Sequence, residues 1–268
     1  MNGALFFKEL KTYRVSFLVW GASIVGLLVI TMAAMPTMLA NASTIKGFLK
    51  AYPEGFMKAF SFDPASFSDP LGFYVVYSMI YVALLGSCFS MTVGAGIIAR
   101  EESLGSADFL LAKPVTRVEV ALTKMAAWLL LVLVLNVVSF FAGWISLSAF
   151  SPLPWRLPPL IIMSLYCLLL SIAMGAVGLL FSLLVRRARS LTGAGIGIVL
   201  GFYLVDAVAK ITERNDAWGW ISPFKWMDLK VTEPGYGVTG WRVALFAALA
   251  LGCAAASLVI YRRKDILT

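Results

Sequence analysis

The chain has 268 residues, 60% of them hydrophobic and 13% charged, with a mean hydropathy of +0.88 and a formal net charge of +8. A soluble domain of this length carries about 25% charged residues, so the composition excludes one soluble core and indicates an integral membrane protein. Nucleic-acid binding is set aside because no basic run or aromatic–basic patch accompanies the positive charge. The absence of histidine removes the commonest general base and metal ligand, and with it most hydrolase and metalloenzyme chemistry. Cys88, Cys167 and Cys253 each lie in an apolar stretch without a CxxC partner, which points to neither a disulfide framework nor a metal site.

In chain order, residues 1–14 come first. Phe6, Leu10, Tyr13 and Phe17 recur at helical spacing opposite Lys8, Lys11 and Thr12, a pattern that predicts an interfacial helix lying on the inner leaflet, or else a charged lead-in to the first span. Six segments then have the roughly 20 apolar residues needed to cross a bilayer: residues 15–40, 71–99, 119–150, 157–185, 190–212 and 241–261. Ala40-Asn41-Ala42 mimics a signal-peptidase site, but the apolar stretch before it is far longer than a signal h-region, so the first span is expected to be retained. Asp69-Pro70 opens the second span.

Residues 100–118, between the second and third spans, are dense in charge. Leu104, Ala107 and Leu111 share one helical face, flanked by Leu110, with Glu101 and Asp108 opposite. Pro114 disfavours helix at Lys113 and ends this element. Thr116 and Glu119 then fit a capping box that opens the third span. The spacing predicts a stiff amphipathic rod against the membrane, or else an ordinary interfacial loop.

Inside the spans, Asn136 lies mid-helix, where such a residue more often bonds another helix than a substrate. Gly193, Gly197 and Gly201 recur every four residues in the fifth span, a small-xxx-small pattern for close helix packing within the chain or across a dimer. Gly94, Gly96, Gly175 and Gly178 carry the same pattern more weakly. Asp206 is the one acid within a span, and Lys210 follows at i+4; an ion pair reaching the interface and a substrate or cation contact both fit. The loop 213–240 is rich in Trp, Gly and Pro. Ser222-Pro223 suits a helix start there, as a short re-entrant lid or an interfacial anchor.

Lysine and arginine placement orients the chain. With both termini inside, 13 of the 22 basic and 6 of the 14 acidic residues fall inside, a net of +7 against +1 outside. The basic turns Arg186-Arg187-Ala188-Arg189 and Arg262-Arg263-Lys264 are both internal in this arrangement.

Residues 101–117, Glu-Glu-Ser-x-Gly-Ser-x-Asp-Phe-Leu-Leu-Ala-Lys-Pro-Val-Thr-Arg, resemble the coupling-helix segment of ABC-2 type transporter permeases. Ser222-Pro223-Phe224-Lys225-Trp226-Met227-Asp228 is similar to a stretch before the last span in that family. The exit Tyr261-Arg262-Arg263-Lys264-Asp265 is similar to its closing motif, and the amphipathic start resembles its elbow helix. The resemblance implies an all-α integral membrane protein with six transmembrane helices, an N-terminal interfacial elbow helix and a cytoplasmic coupling helix between spans 2 and 3. It further implies a permease subunit of an ATP-binding cassette exporter, working by alternating access with a second permease copy or a related permease in the membrane lipid. ATP and Mg would belong to a separate cytoplasmic P-loop ATPase, because this chain has no P-loop of its own and no catalytic or metal residues. By the same resemblance Glu101, Glu102, Gly105, Leu110, Leu111, Pro114 and Arg117 form the ATPase-coupling surface. Independently of it, the spacing of Gly193, Gly197 and Gly201 makes them a candidate packing or dimer face, and Asp206 and Asn136, polar groups inside the bilayer, are candidates for a substrate path. The expected location is a bacterial cytoplasmic membrane with both termini cytoplasmic. Two other functions fit the residues: an ion-coupled secondary transporter using Asp206, and a non-transporting scaffold or sensor subunit.

Overall fold

The computed structural model describes residues 3–49, 69–103, 116–184, 191–212, 216–227 and 238–263. Among them are six helices long and apolar enough to cross a membrane, and no strands.

The first helix, α1, runs without a break from Gly3 to Ala33. At 1.5 Å per residue it is about 46 Å long, well beyond a hydrocarbon core of about 30 Å. The amphipathic stretch is therefore the first third of one rod, a lead-in to the first span rather than the separate interfacial helix of the 1–14 boundary. Its apolar stripe also has a different destination. Tyr13 is buried in the core and Phe6, Leu10 and Phe17 pack against it, so the stripe faces the chain's own helices. With no proline before Pro36, nothing in the sequence interrupts α1 earlier. Pro36 sits in the first turn of α2 (Met35–Ala40), and Asn41 separates that helix from α3 (Ala42–Leu49), its amide donating back to the Thr37 carbonyl at 2.9 Å.

The second span begins at α4 (Pro70–Phe73), capped by Asp69, whose carboxylate accepts from the Gly72 N–H at 3.0 Å. It passes through a π-helical stretch, Tyr74–Met79, into α5 (Ile80–Ser103). The third span is α6 (Arg117–Phe150). The fourth is α7 (Leu157–Leu184), with Pro158 and Pro159 in its first turn, where their missing N–H groups leave no intrahelical bond unmade. The fifth and sixth are α8 (Leu191–Ile211) and α9 (Gly240–Arg263).

Helices α5 and α7 form the central pair; α1 and α6 pack on each other and on α5, α8 covers α5, and α9 covers α7. Glycine makes the central contact possible. A methyl group at Gly94 would collide with the Gly175 carbonyl oxygen, and one at Gly178 would stand 2.6 Å from the Met91 carbonyl. On the other side of Gly175 the Trp128 indole N–H donates to Ser90 Oγ at 3.1 Å, which joins α6 to α5 at the same level. Gly193, Gly197 and Gly201 face open space: a methyl group at any of them would meet no other side chain or helix among the described residues. Close packing within the chain thus falls on the weaker glycine set.

Two short 3-10 helices, Asp216–Ile221 and Pro223–Trp226, fold back along α8. Ser222 Oγ donates to the Phe202 carbonyl at 2.6 Å, nine residues or about 13 Å below the end of α8. Phe224 packs edge-on against Tyr203, and Trp226 against Phe246 of α9. The helix start expected at Ser222-Pro223 is present as a 3-10 turn, with the Ser222 hydroxyl accepting from the Phe224 N–H at 3.3 Å.

Candidate functional site

The charge-dense segment sits between α5 and α6. Glu101 and Glu102 fall in the last turn of α5, and Arg117 is the first residue of α6. Gly105, Leu110, Leu111 and Pro114 lie outside the described residues. Thr116 caps α6, its hydroxyl accepting from the Glu119 N–H at 3.2 Å, as the spacing required.

Just beyond the roots of that segment, the two arms are fastened together. Lys124, 1% exposed and seven residues into α6, extends its ammonium to Glu9 of α1 at 3.2 Å and donates to the Ile97 carbonyl of α5 at 2.5 Å. The Glu9 side chain is also buried. One turn further along α1, the Tyr13 hydroxyl lies against Gly96, where a methyl group would stand 2.8 Å from it. Three helices therefore meet at one buried charge pair, and the Ile97 carbonyl accepts a hydrogen bond from the same ammonium. Such a pair is tolerated in an apolar interior because both charges are matched and hydrogen-bonded. Sequence reasoning passed over Glu9 and Lys124. Yet Glu9 shares the inward face with Leu5 and Tyr13 at i±4, and Lys124 stands within an apolar run, so each was an ionisable group at a core position.

The second polar locus is at the opposite end of the bundle. Asp206 and Lys210 form the i,i+4 pair at 2.7 Å, with the carboxylate buried and the ammonium partly exposed. The other carboxylate oxygen, Oδ1, is buried with no hydrogen-bond partner among the described residues. Asn136 is not joined to this locus: its amide donates to the Val132 carbonyl of its own helix at 2.9 Å. The Trp-rich turns add a rim in which Trp220 packs on Trp241, with Lys225 over the Trp220 ring and Arg242 over the Trp241 ring.

The arrangement holds no constellation for bond-making chemistry among the described residues. It has a buried ion pair joining three helices at one end and a buried acid at the other. In comparison with known families, residues 4–266 match the sequence model described as ABC-2 family transporter protein. No curated protein matches the chain.

Proposed function

Because the chain belongs to the ABC-2 transporter family, we propose that it is the permease subunit of an ATP-binding cassette exporter, driven by a separate cytoplasmic ATPase. The family is a membrane transport component, and six membrane-length helices fit that role. In this proposal Glu101, Glu102, Gly105, Leu110, Leu111, Pro114 and Arg117 meet the ATPase, ATP and Mg stay on that partner, and a second permease copy or a related permease completes the path. Both termini and the 100–118 segment face the cytoplasm of a bacterial cell, in keeping with the excess of basic residues on that side.

The observation that carries the coupling role is the joint of Glu9, Lys124 and the Ile97 carbonyl. A push on a segment held by α5 and α6 can act on the path only if its two arms move together. Were the arms free to slide, the displacement would be absorbed between them. A buried, hydrogen-bonded charge pair resists separation because each charge would be stranded in a medium that cannot solvate it. The same pair recruits α1, so ATPase closure would tilt α1, α5 and α6 as one body and open the path alternately to either side. Exposed Gly193, Gly197 and Gly201 supply a face on which a second permease could pack closely.

Co-purification tests this function. A P-loop ATPase should accompany the full chain extracted in mild detergent, and Glu101→Arg with Glu102→Arg should abolish its recovery. Recovery undiminished by the double reversal would refute the coupling surface.

A further inference from the structure

Asp206 is 3% exposed and only half satisfied: Lys210 holds Oδ2, while Oδ1 is buried without a donor among the described residues. An acid in that condition inside a membrane helix is unfavourable unless it serves something besides packing. Its cationic neighbour is poorly placed to be permanent. The Lys210 side chain is 39% exposed, and a lysine near a helix end can swing its ammonium to the interface on a flexible stem. The carboxylate, one turn deeper, cannot follow.

The surroundings are aromatic. Tyr203, on the same face of α8, is within electrostatic reach of the Asp206 carboxylate and of Tyr81 on α5. Tyr77, in turn, is within reach of Tyr81. Tyr77 also belongs to the π-helical stretch Tyr74–Met79, a distortion found disproportionately at functional positions. Phenol faces attract cations, and a carboxylate supplies the formal charge. A hydrated divalent metal would need several oxygen ligands, and no metal-sized cluster of acids occurs here among the described residues. A monovalent organic cation needs only what this site offers, one acid with a phenol side chain beside it.

We propose that Asp206 receives the cationic group of an organic cation, and that Lys210 is a built-in stand-in which holds the carboxylate until the ligand displaces it. The exchange is one cation for another, so the buried carboxylate is never left uncompensated. This inference rests on the chain being the membrane subunit of an exporter, and it names the class of cargo.

The test uses the full chain in nanodiscs of zwitterionic lipid, titrated calorimetrically with tetraphenylphosphonium after subtraction of empty nanodiscs. Tetraphenylborate, of the same shape and opposite charge, is the control. The wild-type chain should bind the phosphonium and not the borate. Asp206→Asn should weaken binding at least tenfold, and Lys210→Ala should tighten it several-fold because the internal competitor is gone. The lysine variant keeps the buried acid in place, so it remains informative if Asp206→Asn does not fold. Equal affinity in wild type and Lys210→Ala overturns the proposal, as does equal binding of the two probes or no binding of the phosphonium to the wild type. Association with the ATPase runs through the opposite end of the bundle, so a negative result here leaves the co-purification test standing, and the reverse also holds.

Discussion

Glu9 and Lys124, far apart in the chain, meet in a buried ion pair at 3.2 Å, and the lysine donates at the same time to the Ile97 carbonyl. This contact turns the N-terminal lead-in from a surface attachment into part of the joint beneath the charge-dense segment. Its energetics are asymmetric: a matched buried pair adds little over an apolar pair, whereas removing one partner strands the other.

Glu9→Ala and Lys124→Ala should each destabilise the chain by about 3–5 kcal/mol. The double replacement Glu9→Leu with Lys124→Met should recover most of that loss, because no charge is left unmatched. Thermal unfolding of the detergent-solubilised protein reads this directly, and a Glu9→Ala variant that melts with the wild type would sink the argument. Raising the salt concentration should change the wild-type melting point little at this pair, since buried charges are weakly screened.

Gly94→Ala should cost about 1–3 kcal/mol or more, since the added methyl meets the Gly175 backbone rather than a side chain able to rotate away. Gly197→Ala, by contrast, meets nothing and should raise intrinsic helix stability by up to about 1 kcal/mol. Comparing the two melting points decides it; equal effects would mean that α5 and α7 do not pack as described. Chemical cross-linking of Gly197→Leu asks a separate question, because undiminished self-association would remove that face as the contact between copies.

Ser222→Ala removes both the hydroxyl that caps the Pro223–Trp226 turn and the donor to the Phe202 carbonyl. The loss should be about 1–2 kcal/mol and local to the folded-back turns. Amide hydrogen exchange should rise across 216–227 while α5 and α7 keep their protection. Unchanged exchange in that stretch would show that ring packing alone holds it.

Thr116→Ala should fray the first turn of α6 at a cost of about 0.5–2 kcal/mol, because the Glu119 N–H loses its acceptor. Faster exchange at residues 117–120 is the expected readout. If Thr116→Ser fails to restore protection, the cap is not what defines the start of the helix.

The features legible in the sequence were those written within a few residues of one another. A membrane span is a run of apolar side chains that satisfies its own backbone bonds, so the presence of six membrane-length helices followed from hydropathy alone, whereas the start of the first, at Gly3, did not. Caps at Asp69, Thr116 and Ser222 act over two or three residues, and the Asp206–Lys210 pair over four, so their spacing was sufficient. The rotation of each helix about its axis was not legible, because it depends on every neighbour at once. Gly193, Gly197 and Gly201 have the stronger repeat, yet Gly94, Gly175 and Gly178 are the ones pressed against another helix. For the same reason the stripe through Tyr13 looked suited to a lipid surface and is instead covered by protein. Local chemistry decided where the helices start and stop; only the tertiary packing could decide which acid meets which lysine, because that contact joins residues with no shared neighbourhood in the chain.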